Sequence, residues 1–280
     1  MKKKSTPASL KGKRPTRVWL HGESGRMGHE IREAIAARSR EFVLVGGSGR
    51  KIADSPRIED SGAPARADVL ARNLADVDLV LDFSMPEANS VLLEALGQRR
   101  KSRGPFAVVV GTTGLTPAQI APWRKVAERG EFPVLIAPNT SIGVLVALKT
   151  AILASGILLR AGFDVEIVET HHRAKKDAPS GTARFLAKGV ASEFPDDLRV
   201  TEARTGARKS GELGVHAVRG GGVFGEHEIR FLGDAEELKI SHRAFSRALF
   251  ASGALVLGNW VLAQGPGLFH LQDVQSEDLV

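Results

Sequence analysis

A glycine-rich turn between a strand and a helix constrains the fold of this chain more than any other feature. The turn, Gly22-x-x-Gly25-x-x-Gly28, follows the apolar run VWLH at 18–21. Apolar residues then recur at helical spacing from Met27 to Ile35, and a second apolar run, FVLV, occupies 42–45. Strand, glycine turn, helix and strand together predict the first unit of a Rossmann-like, doubly wound α/β sheet.

The turn also predicts a dinucleotide site. Glycines let the backbone approach a pyrophosphate closely, and the helix N-terminus attracts its negative charge. The residues of the turn predicted to line this site are Gly22, Gly25 and Gly28. The spacing is not the GxGxxG of the usual fingerprint, so a helix-capping turn in an unrelated α/β protein is the alternative interpretation.

The residues after the second strand bear on which dinucleotide is bound. Sites for NAD usually carry an acid here, which accepts a hydrogen bond from the ribose 2′-hydroxyl. This chain has Arg50 and Lys51, with no acid before Asp54. Basic side chains pair with a 2′-phosphate. We therefore predict that NADPH is accepted at least as well as NADH, the alternative being an ordinary solvated basic loop.

The rest of the first half continues the alternation of strands and helices. Strands are predicted at 78–83, 107–110 and 133–137, and helices at 87–96 and 118–129, which indicates a parallel sheet covered on both faces. Ligands bind at the carboxyl ends of such strands. Residues that follow two of these strands are therefore predicted to line a cofactor cleft: Gly111, Thr112, Thr113, Ala137 and Asn139.

The second half has a different pattern. A long apolar helix after Ile142 leads to a strand at 164–169 and to a helix opening near Pro179. Alternating strands at 215–218, 227–231 and 237–241 predict a mixed or antiparallel sheet, and thus a second α+β domain. Helical spacing returns at 248–262.

Composition excludes several classes of site and partner. With no cysteine, the chain has no disulfide, thiolate nucleophile, Cys-ligated zinc or iron–sulfur cluster.

The net charge of +7 comes from seven basic residues within 1–17, and the rest of the chain has equal numbers of basic and acidic residues. A solvated tail is favoured over a nucleic-acid arm. No apolar secretory segment follows the tail, and a transit peptide is the alternative interpretation of these residues.

The most apolar stretches, 142–159 and 250–262, are shorter than the ~20 residues of a membrane span and contain Lys149 and Asn259. We interpret both as buried helices. The expectation is a cytoplasmic protein without a membrane or nucleic-acid partner.

The segment EIVETHHRAKKDAPSGTA at 166–183 has the composition of a catalytic site. Histidine titrates near neutral pH and can act as a general acid, and a nearby lysine supplies charge. The Ser180-Gly181-Thr182 turn opens a helix whose N–H groups can bind a carboxylate. The alternative is a charged surface loop with a helix cap. The isolated histidines 216, 227, 242 and 270 lack metal spacing and are predicted to be structural or on the surface, with no metal site.

Segment 166–183 resembles the signature of the 4-hydroxy-tetrahydrodipicolinate reductases (dihydrodipicolinate reductases) of the diaminopimelate–lysine pathway, E-I-x-E-x-H-x-x-x-K-x-D-x-P-S-G-T-A. Every fixed position is met. Supporting segments are GRMG at 25–28, DFS at 82–84, GTTG at 111–114, RGG at 219–221, GEH at 225–227, HR at 242–243, SR at 246–247 and GLF at 267–269. The resemblance spans roughly residues 17–275.

The resemblance implies a dinucleotide-binding domain at 17–140 and 250–280, behind a basic tail at 1–16, and a substrate-binding and oligomerisation domain at 141–249 that assembles a homotetramer. It implies loss of water and hydride transfer from NADPH or NADH to a cyclic imine dicarboxylate. His171 would be the general acid and Lys175 would assist by charge. Arg26 and Met27 would line the cofactor beside the glycines. The residues implied to hold substrate carboxylate are His172, Lys175, Ser180, Gly181, Thr182 and Arg247.

Three positions depart from the family pattern. Arg50 or Lys51 stands where many members have an acid, Thr140 stands where an aromatic often follows Pro-Asn, and Glu23 stands in the glycine turn, where it would repel a pyrophosphate. A catalytically idle nucleotide sensor on the same fold is the alternative from a different functional class. The intact His-Lys-Ser-Gly-Thr set argues against it.

Overall fold

A computed structural model describes residues 14–49, 67–98, 105–129, 132–194, 196 and 198–275. These residues divide into two compact units. The chain passes from the first unit to the second between Thr140 and Ser141 and returns between Arg247 and Ala248. Arg50 and Lys51, predicted to read the ribose, lie outside the described residues.

The described helices and strands follow one another in this order: β1 (Thr16–His21), α1 (Arg26–Ala37), β2 (Phe42–Ser48), α2 (Ala67–Asn73), β3 (Leu79–Asp82), α3 (Pro86–Gln98), β4 (Ala107–Val110), α4 (Pro117–Glu128), β5 (Pro133–Ile136), α5 (Ile142–Leu158), β6 (Asp164–His171), α6 (Gly181–Glu193), β7 (Arg199–Glu202), β8 (Glu212–Arg219), β9 (Gly225–Leu232), β10 (Glu237–Ala244), α7 (Ala248–Leu262) and β11 (Gly267–His270).

The first unit is built on a parallel sheet with the strand order β2-β1-β3-β4-β5-β11. All residues of β3, β4 and β5 are buried, as expected for strands covered by helices on both faces. The chain leaves β1 for β2 on one side and later adds β3 on the other. The predicted doubly wound fold is confirmed, and its topological switch point lies between β1 and β3.

The second unit contains a mixed sheet with the order β10-β9-β6-β8-β7. β9 runs antiparallel to β6 and β10, whereas β8 runs parallel to β6 and β7. Helices α5 and α6 pack on the face that carries Val165 and Ile167, where Leu148 and Leu186 join the core. The predicted mixed sheet is confirmed.

Several elements differ from the sequence-based expectations. β1 begins at Thr16, and Arg14 pairs with Asp78 at 2.6 Å, so the end of the predicted tail belongs to the first unit. Three short elements were not predicted: α2, β7 and β11. β7 is mostly exposed and has no apolar alternation, and β11 is identified only by its pairing with β5. None of the helices in the described parts of the chain has both the length and the apolarity that a bilayer crossing requires.

Candidate active site

The glycine turn lies at the switch point of the parallel sheet. Its first residue, Gly22, has φ +91°, and a Cβ there would lie 2.5 Å from the carbonyl oxygen of Phe83, just beyond β3. The N–H groups of Gly22 and Glu23 donate to the carbonyl of Ser48, the last residue of β2, at 2.7 and 3.1 Å. The turn is therefore held between the ends of β2 and β3, where a doubly wound sheet binds its ligand.

The start of α1 suits an anion. Gly25 is its N-cap and offers no side-chain acceptor, so the helix N-terminus has no built-in side-chain cap. Gly25 and Arg26 are exposed, Met27 is half-buried and Gly28 is buried.

The side chain of Glu23 points into the protein and away from solvent. Its side chain is buried, and Oε1 lies 3.2 Å from Nη1 of Arg32. Burial raises the pKa of Glu23, although the charges of Arg32 and His29 act in the opposite direction. The expected repulsion of a pyrophosphate is thus reduced by the inward orientation and by the pairing with Arg32.

The ends of β3 and β4 are tied together by the buried carboxylate of Asp82. Its Oδ2 accepts hydrogen bonds from Asn89 at 2.7 Å and Thr112 at 2.9 Å, and its Oδ1 accepts one from the Ser84 hydroxyl at 2.6 Å. Thr112 is buried in this network, whereas Thr113 is exposed at the sheet edge. Among the predicted cofactor residues here, Thr113 is the one whose side chain is open to solvent, and Thr112 supports the loop.

The other predicted cofactor residues lie at the same edge of the sheet. Gly111 is buried, and a Cβ there would contact the Phe83 ring at 2.6 Å. Ala137 and Asn139 follow β5 and are both buried. Thr140, which stands where the family often has an aromatic, donates its hydroxyl to the carbonyl of Phe250 at 2.7 Å. Its side chain therefore anchors α7.

In the second unit, Glu169 and His171 lie on the same side of β6 because side chains alternate along a strand. Nδ1 of His171 lies 2.5 Å from Oε2 of Glu169 and donates to it. Nε2 points toward Gly225, where a Cβ would come within 2.9 Å of it. A side chain at position 225 would therefore crowd this nitrogen.

Glu169 connects the parts of this site. It is 0% exposed, and Arg219 binds it with two hydrogen bonds of 2.7 and 2.9 Å. Its Oε1 also accepts from the backbone N–H of Ser180 at 2.9 Å. Burial alone would raise the pKa of Glu169, but the hydrogen bonds from Arg219, His171 and Ser180 outweigh it and hold the pKa below its usual value. Glu169 is thus a buried anion that orients His171.

The pKa of His171 is shifted by opposing influences. Burial lowers it, the hydrogen bond and charge of Glu169 raise it, and the charges of Lys175 and Arg219 lower it further. The net effect is a pKa below the usual value, so the imidazolium loses its proton readily.

The turn predicted to bind an anion lies at the start of α6. Ser180 is the N-cap, and its hydroxyl accepts from the N–H of Ala183 at 3.1 Å. Ser180 is buried, Thr182 is half-buried and Gly181 is exposed, with no atom within 4 Å of a Cβ built at Gly181. An anion therefore has access to the first turn at Gly181.

The remaining predicted substrate residues make contacts elsewhere in the second unit. Nζ of Lys175 lies 2.9 Å from Asp177. His172 is half-buried, and its backbone N–H donates to Val223 at 2.8 Å. The guanidinium of Arg247 lies over the ring of Phe224, 5.8 Å from its centre.

Three of the histidines predicted to be structural or on the surface make side-chain contacts in the second unit. His227 is buried, with Nε2 3.1 Å from the Ser180 hydroxyl and its ring 5.2 Å from that of His171. Nε2 of His216 lies 2.6 Å from Glu166, and Nε2 of His242 lies 3.2 Å from the Ser141 hydroxyl. In the described parts of the chain, no group of three or more His, Asp or Glu residues could hold a metal ion.

Sequence reasoning assigned no role to Glu169, Arg219 or His227. The period of two along β6 carried a signal for Glu169, because it places residues 169 and 171 on one face. The same period along β9 places His227 with the apolar Ile229 and Phe231, which indicates an inward-facing histidine. Arg219 lies in the RGG segment that supports the family resemblance, but nothing in the sequence assigns it a contact with Glu169.

Comparisons with known proteins cover both units. The N-terminal model of dihydrodipicolinate reductase matches residues 16–140, and the C-terminal model matches residues 143–275. A curated 4-hydroxy-tetrahydrodipicolinate reductase of Alkalilimnicola ehrlichii is 39% identical over 270 residues, 92% of this chain and 98% of that protein. One from Syntrophotalea carbinolica is 38% identical over 272 residues, with the same coverage of both chains.

A solved structure is also similar. The dipicolinate-bound dihydrodipicolinate reductase from Paenisporosarcina sp. TG-14 has a TM-score of 0.71 and 26% identity, with 93% of this chain and 100% of that chain covered. The two family models together account for nearly all of the described residues, and the signature identified in segment 166–183 lies within the second. The chain belongs to the dihydrodipicolinate reductase family of oxidoreductases.

Proposed function

We propose that this chain reduces 4-hydroxy-tetrahydrodipicolinate to tetrahydrodipicolinate with loss of water, in diaminopimelate and lysine biosynthesis, using NADPH or NADH. The observation that carries the proposal is the buried Glu169–His171 pair next to the α6 N-terminus, within a complete family signature. The curated relatives carry the name of this activity, and the similar solved structure contains dipicolinate, an aromatic dicarboxylate.

The first unit fits a nicotinamide dinucleotide. Gly22 lets the turn pack closely against the carbonyl of Phe83, and the α1 N-terminus has no side-chain cap. The turn and Arg26 would hold the pyrophosphate, and Gly111, Thr113, Ala137 and Asn139 would line the nicotinamide end. When bound, the dinucleotide supplies the hydride. Arg50 and Lys51 are proposed to pair with a 2′-phosphate, which would favour NADPH.

The second unit would hold the dicarboxylate. The α6 N-terminus presents backbone N–H groups, and Lys175, His172 and Arg247 add positive or polar side chains around it. Lys175 would exchange its contact with Asp177 for a substrate carboxylate, since both partners are carboxylates. Ser180 would contribute by capping the turn, because its side chain is buried and its N–H donates to Glu169.

His171 would supply the proton that reduction requires. With Nδ1 bound to Glu169, the proton on Nε2 is the one that can be transferred, and the absence of a side chain at Gly225 leaves Nε2 uncrowded. The buried carboxylate stabilises the imidazolium until transfer. A positioned general acid contributes on the order of 10²–10⁴ in rate.

A cytoplasmic homotetramer is proposed on the basis of the resemblance. The face of the mixed sheet opposite α5 and α6 leaves Val218 46% and Leu232 37% exposed, which suits a further layer of protein. Sedimentation equilibrium would test the assembly, and a monomer at micromolar concentration would contradict it.

The reaction is tested by following oxidation of NADPH and NADH, in parallel, with enzymatically generated 4-hydroxy-tetrahydrodipicolinate. Turnover is expected with at least one nucleotide, and a higher kcat/KM with NADPH. Replacing Arg50 and Lys51 by alanine should reduce the NADPH value and leave the NADH value nearly unchanged. Folded protein that binds nucleotide but oxidises neither would favour the idle sensor and contradict the proposal.

A further inference from the structure

His227 lies between the Glu169–His171 pair and the N-terminus of α6. On β9 it pairs directly across from Glu169 of β6. It is 5% exposed, its ring lies edge-on to that of His171, and its Nε2 lies 3.1 Å from the hydroxyl of Ser180. The imidazole of His227 therefore contacts both His171, the proposed general acid, and Ser180, the N-cap of α6.

Ser180 is held by three different elements. Its N–H donates to Glu169 on β6, its hydroxyl accepts from Ala183 within α6, and the same hydroxyl is bound by His227 on β9. Of the two contacts that this hydroxyl makes with other described residues, only the His227 contact ties it to the sheet. A rotation of Ser180 would turn the peptide that leads into Gly181, the exposed start of the turn.

The buried ring of His227 is uncharged near neutral pH. Burial lowers the pKa of His227 to about 3, so the ring is neutral at pH 7. Its Nδ1 is buried and makes no hydrogen bond with any described residue. An apolar side chain would avoid the cost of that unpaired nitrogen, so the bond from Nε2 to Ser180 is the contact that explains a histidine here.

A second histidine offers a matched comparison. His242 on β10 pairs directly across from His227, and its Nε2 lies 3.2 Å from the hydroxyl of Ser141. Ser141 is the N-cap of α5 and accepts from Val144 at 3.2 Å. The two histidine–serine pairs have the same chemistry, but only the Ser180 pair supports the predicted anion-binding turn.

We propose that His227 is a positioning residue which, through its hydrogen bond to Ser180, holds the first turn of α6 in the conformation that receives a substrate carboxylate. This inference rests on the proposed function, because it assigns the carboxylate to that turn. Removing the bond should weaken carboxylate binding, whereas the chemical step at His171 should change less.

The test measures dipicolinate binding by calorimetry on the full-length protein saturated with NADPH, together with KM and kcat for 4-hydroxy-tetrahydrodipicolinate. His227→Leu removes the hydrogen-bonding nitrogen, and His227→Gln keeps a side-chain amide that can bond to the Ser180 hydroxyl. Ser180→Gly removes the hydroxyl while keeping a residue that costs little at an N-cap. His242→Leu is the matched control, and thermal unfolding is recorded for every variant.

The expected result is a Kd for dipicolinate and a KM about tenfold higher in His227→Leu, with kcat changed less than about threefold. His227→Gln should restore the Kd to within about threefold of the wild-type value. In the Ser180→Gly background, His227→Leu should add less than about twofold, since both changes remove the same contact.

Four outcomes would overturn the role of His227. They are an unchanged Kd in His227→Leu, additive effects with Ser180→Gly, an equal loss of affinity in His242→Leu, and no dipicolinate binding by the wild-type chain. Absence of turnover in a wild-type chain that binds dipicolinate would instead contradict the proposed function, and the binding series would still decide the role of His227.

Discussion

Oε2 of Glu169 accepts the hydrogen bond from Nδ1 of His171 at 2.5 Å, deep in the second unit. This bond fixes which imidazole nitrogen carries the inward proton and leaves Nε2 facing Gly225, where a side chain would crowd it. A buried carboxylate in this position both orients the ring and stabilises its protonated form. The pair thus has the arrangement that a histidine general acid requires.

Replacing Glu169 by glutamine should lower kcat by about a hundredfold, because the amide cannot stabilise the imidazolium by charge. Since Glu169 raises the pKa of His171, its loss should move the alkaline decline of kcat/KM to lower pH. Steady-state rates from pH 5 to 9 provide the measurement. Glu202→Gln, which breaks an exposed pair with Arg184, is the control and should leave the profile unchanged. A wild-type profile in Glu169→Gln would remove the carboxylate from the mechanism.

The wild-type pH profile has a predicted direction. A general acid must be protonated, so kcat/KM should fall as the pH rises through the pKa of free His171, which burial places below 6.5. Two substrate carboxylates favour the imidazolium, so the decline in kcat should lie at higher pH than the decline in kcat/KM. His171→Gln should abolish this limb. Its persistence in that variant would assign the titration to another group.

The Arg219–Glu169 pair should contribute strongly to stability because Glu169 is 0% exposed. Arg219→Met leaves the carboxylate without its two-pronged partner and should reduce the free energy of unfolding by about 3 kcal/mol, measured by urea denaturation at pH 7. The pKa of folded Glu169 is depressed, so this stability is present above its unfolded pKa and is lost as the pH falls through the folded value. Arg184→Met, in a pair whose side chains are 38% and 39% exposed, should cost at most about 1 kcal/mol. Equal losses in the two variants would contradict the assignment.

Gly28 is required by the close packing of the glycine turn. A Cβ there would lie 2.1 Å from the carbonyl oxygen of Glu23 and 2.7 Å from that of Gly22, so Gly28→Ala must displace the backbone. We expect a loss of about 1–3 kcal/mol in stability and weaker NADPH binding, measured by fluorescence titration. Gly97→Ala in α3, where a Cβ would meet nothing within 4 Å, should instead stabilise the protein by ~0.5–1 kcal/mol. Unaltered nucleotide affinity in Gly28→Ala would show that the turn tolerates a side chain.

The sequence predicted the elements with strong periodicity most accurately. The bounds of β4 and α7 agree with the structure, because an apolar run and a helical stripe each reflect burial directly. β7 was missed because RVTE is too short and too exposed to show alternation, and β11 because its four residues form a strand by pairing with β5. Such edge strands depend on tertiary contacts that a local pattern does not contain.

The candidate site likewise combines residues that a local sequence pattern identifies with residues that only tertiary contacts bring together. The signature contained His171, Lys175 and the Ser180 turn, and the structure brings these residues into one unit. The partners that orient them come from distant strands, Arg219 from β8 and His227 from β9. Cross-strand register decides these contacts, and register is not visible in a single sequence.

The return of the chain to the first unit has a consequence for folding during synthesis. β5 pairs with β11, and α7 packs against α1 and strands β3 to β5, yet the whole second unit is translated before either arrives. When the growing chain has reached residue 247, the edge of β5 is therefore unpaired and the apolar strands of the first unit still lack α7. Every strand of the mixed sheet has by then been synthesised. On the ribosome the unit that begins first is thus completed last, and its exposed edge must be kept from misassociation until residue 270 has emerged.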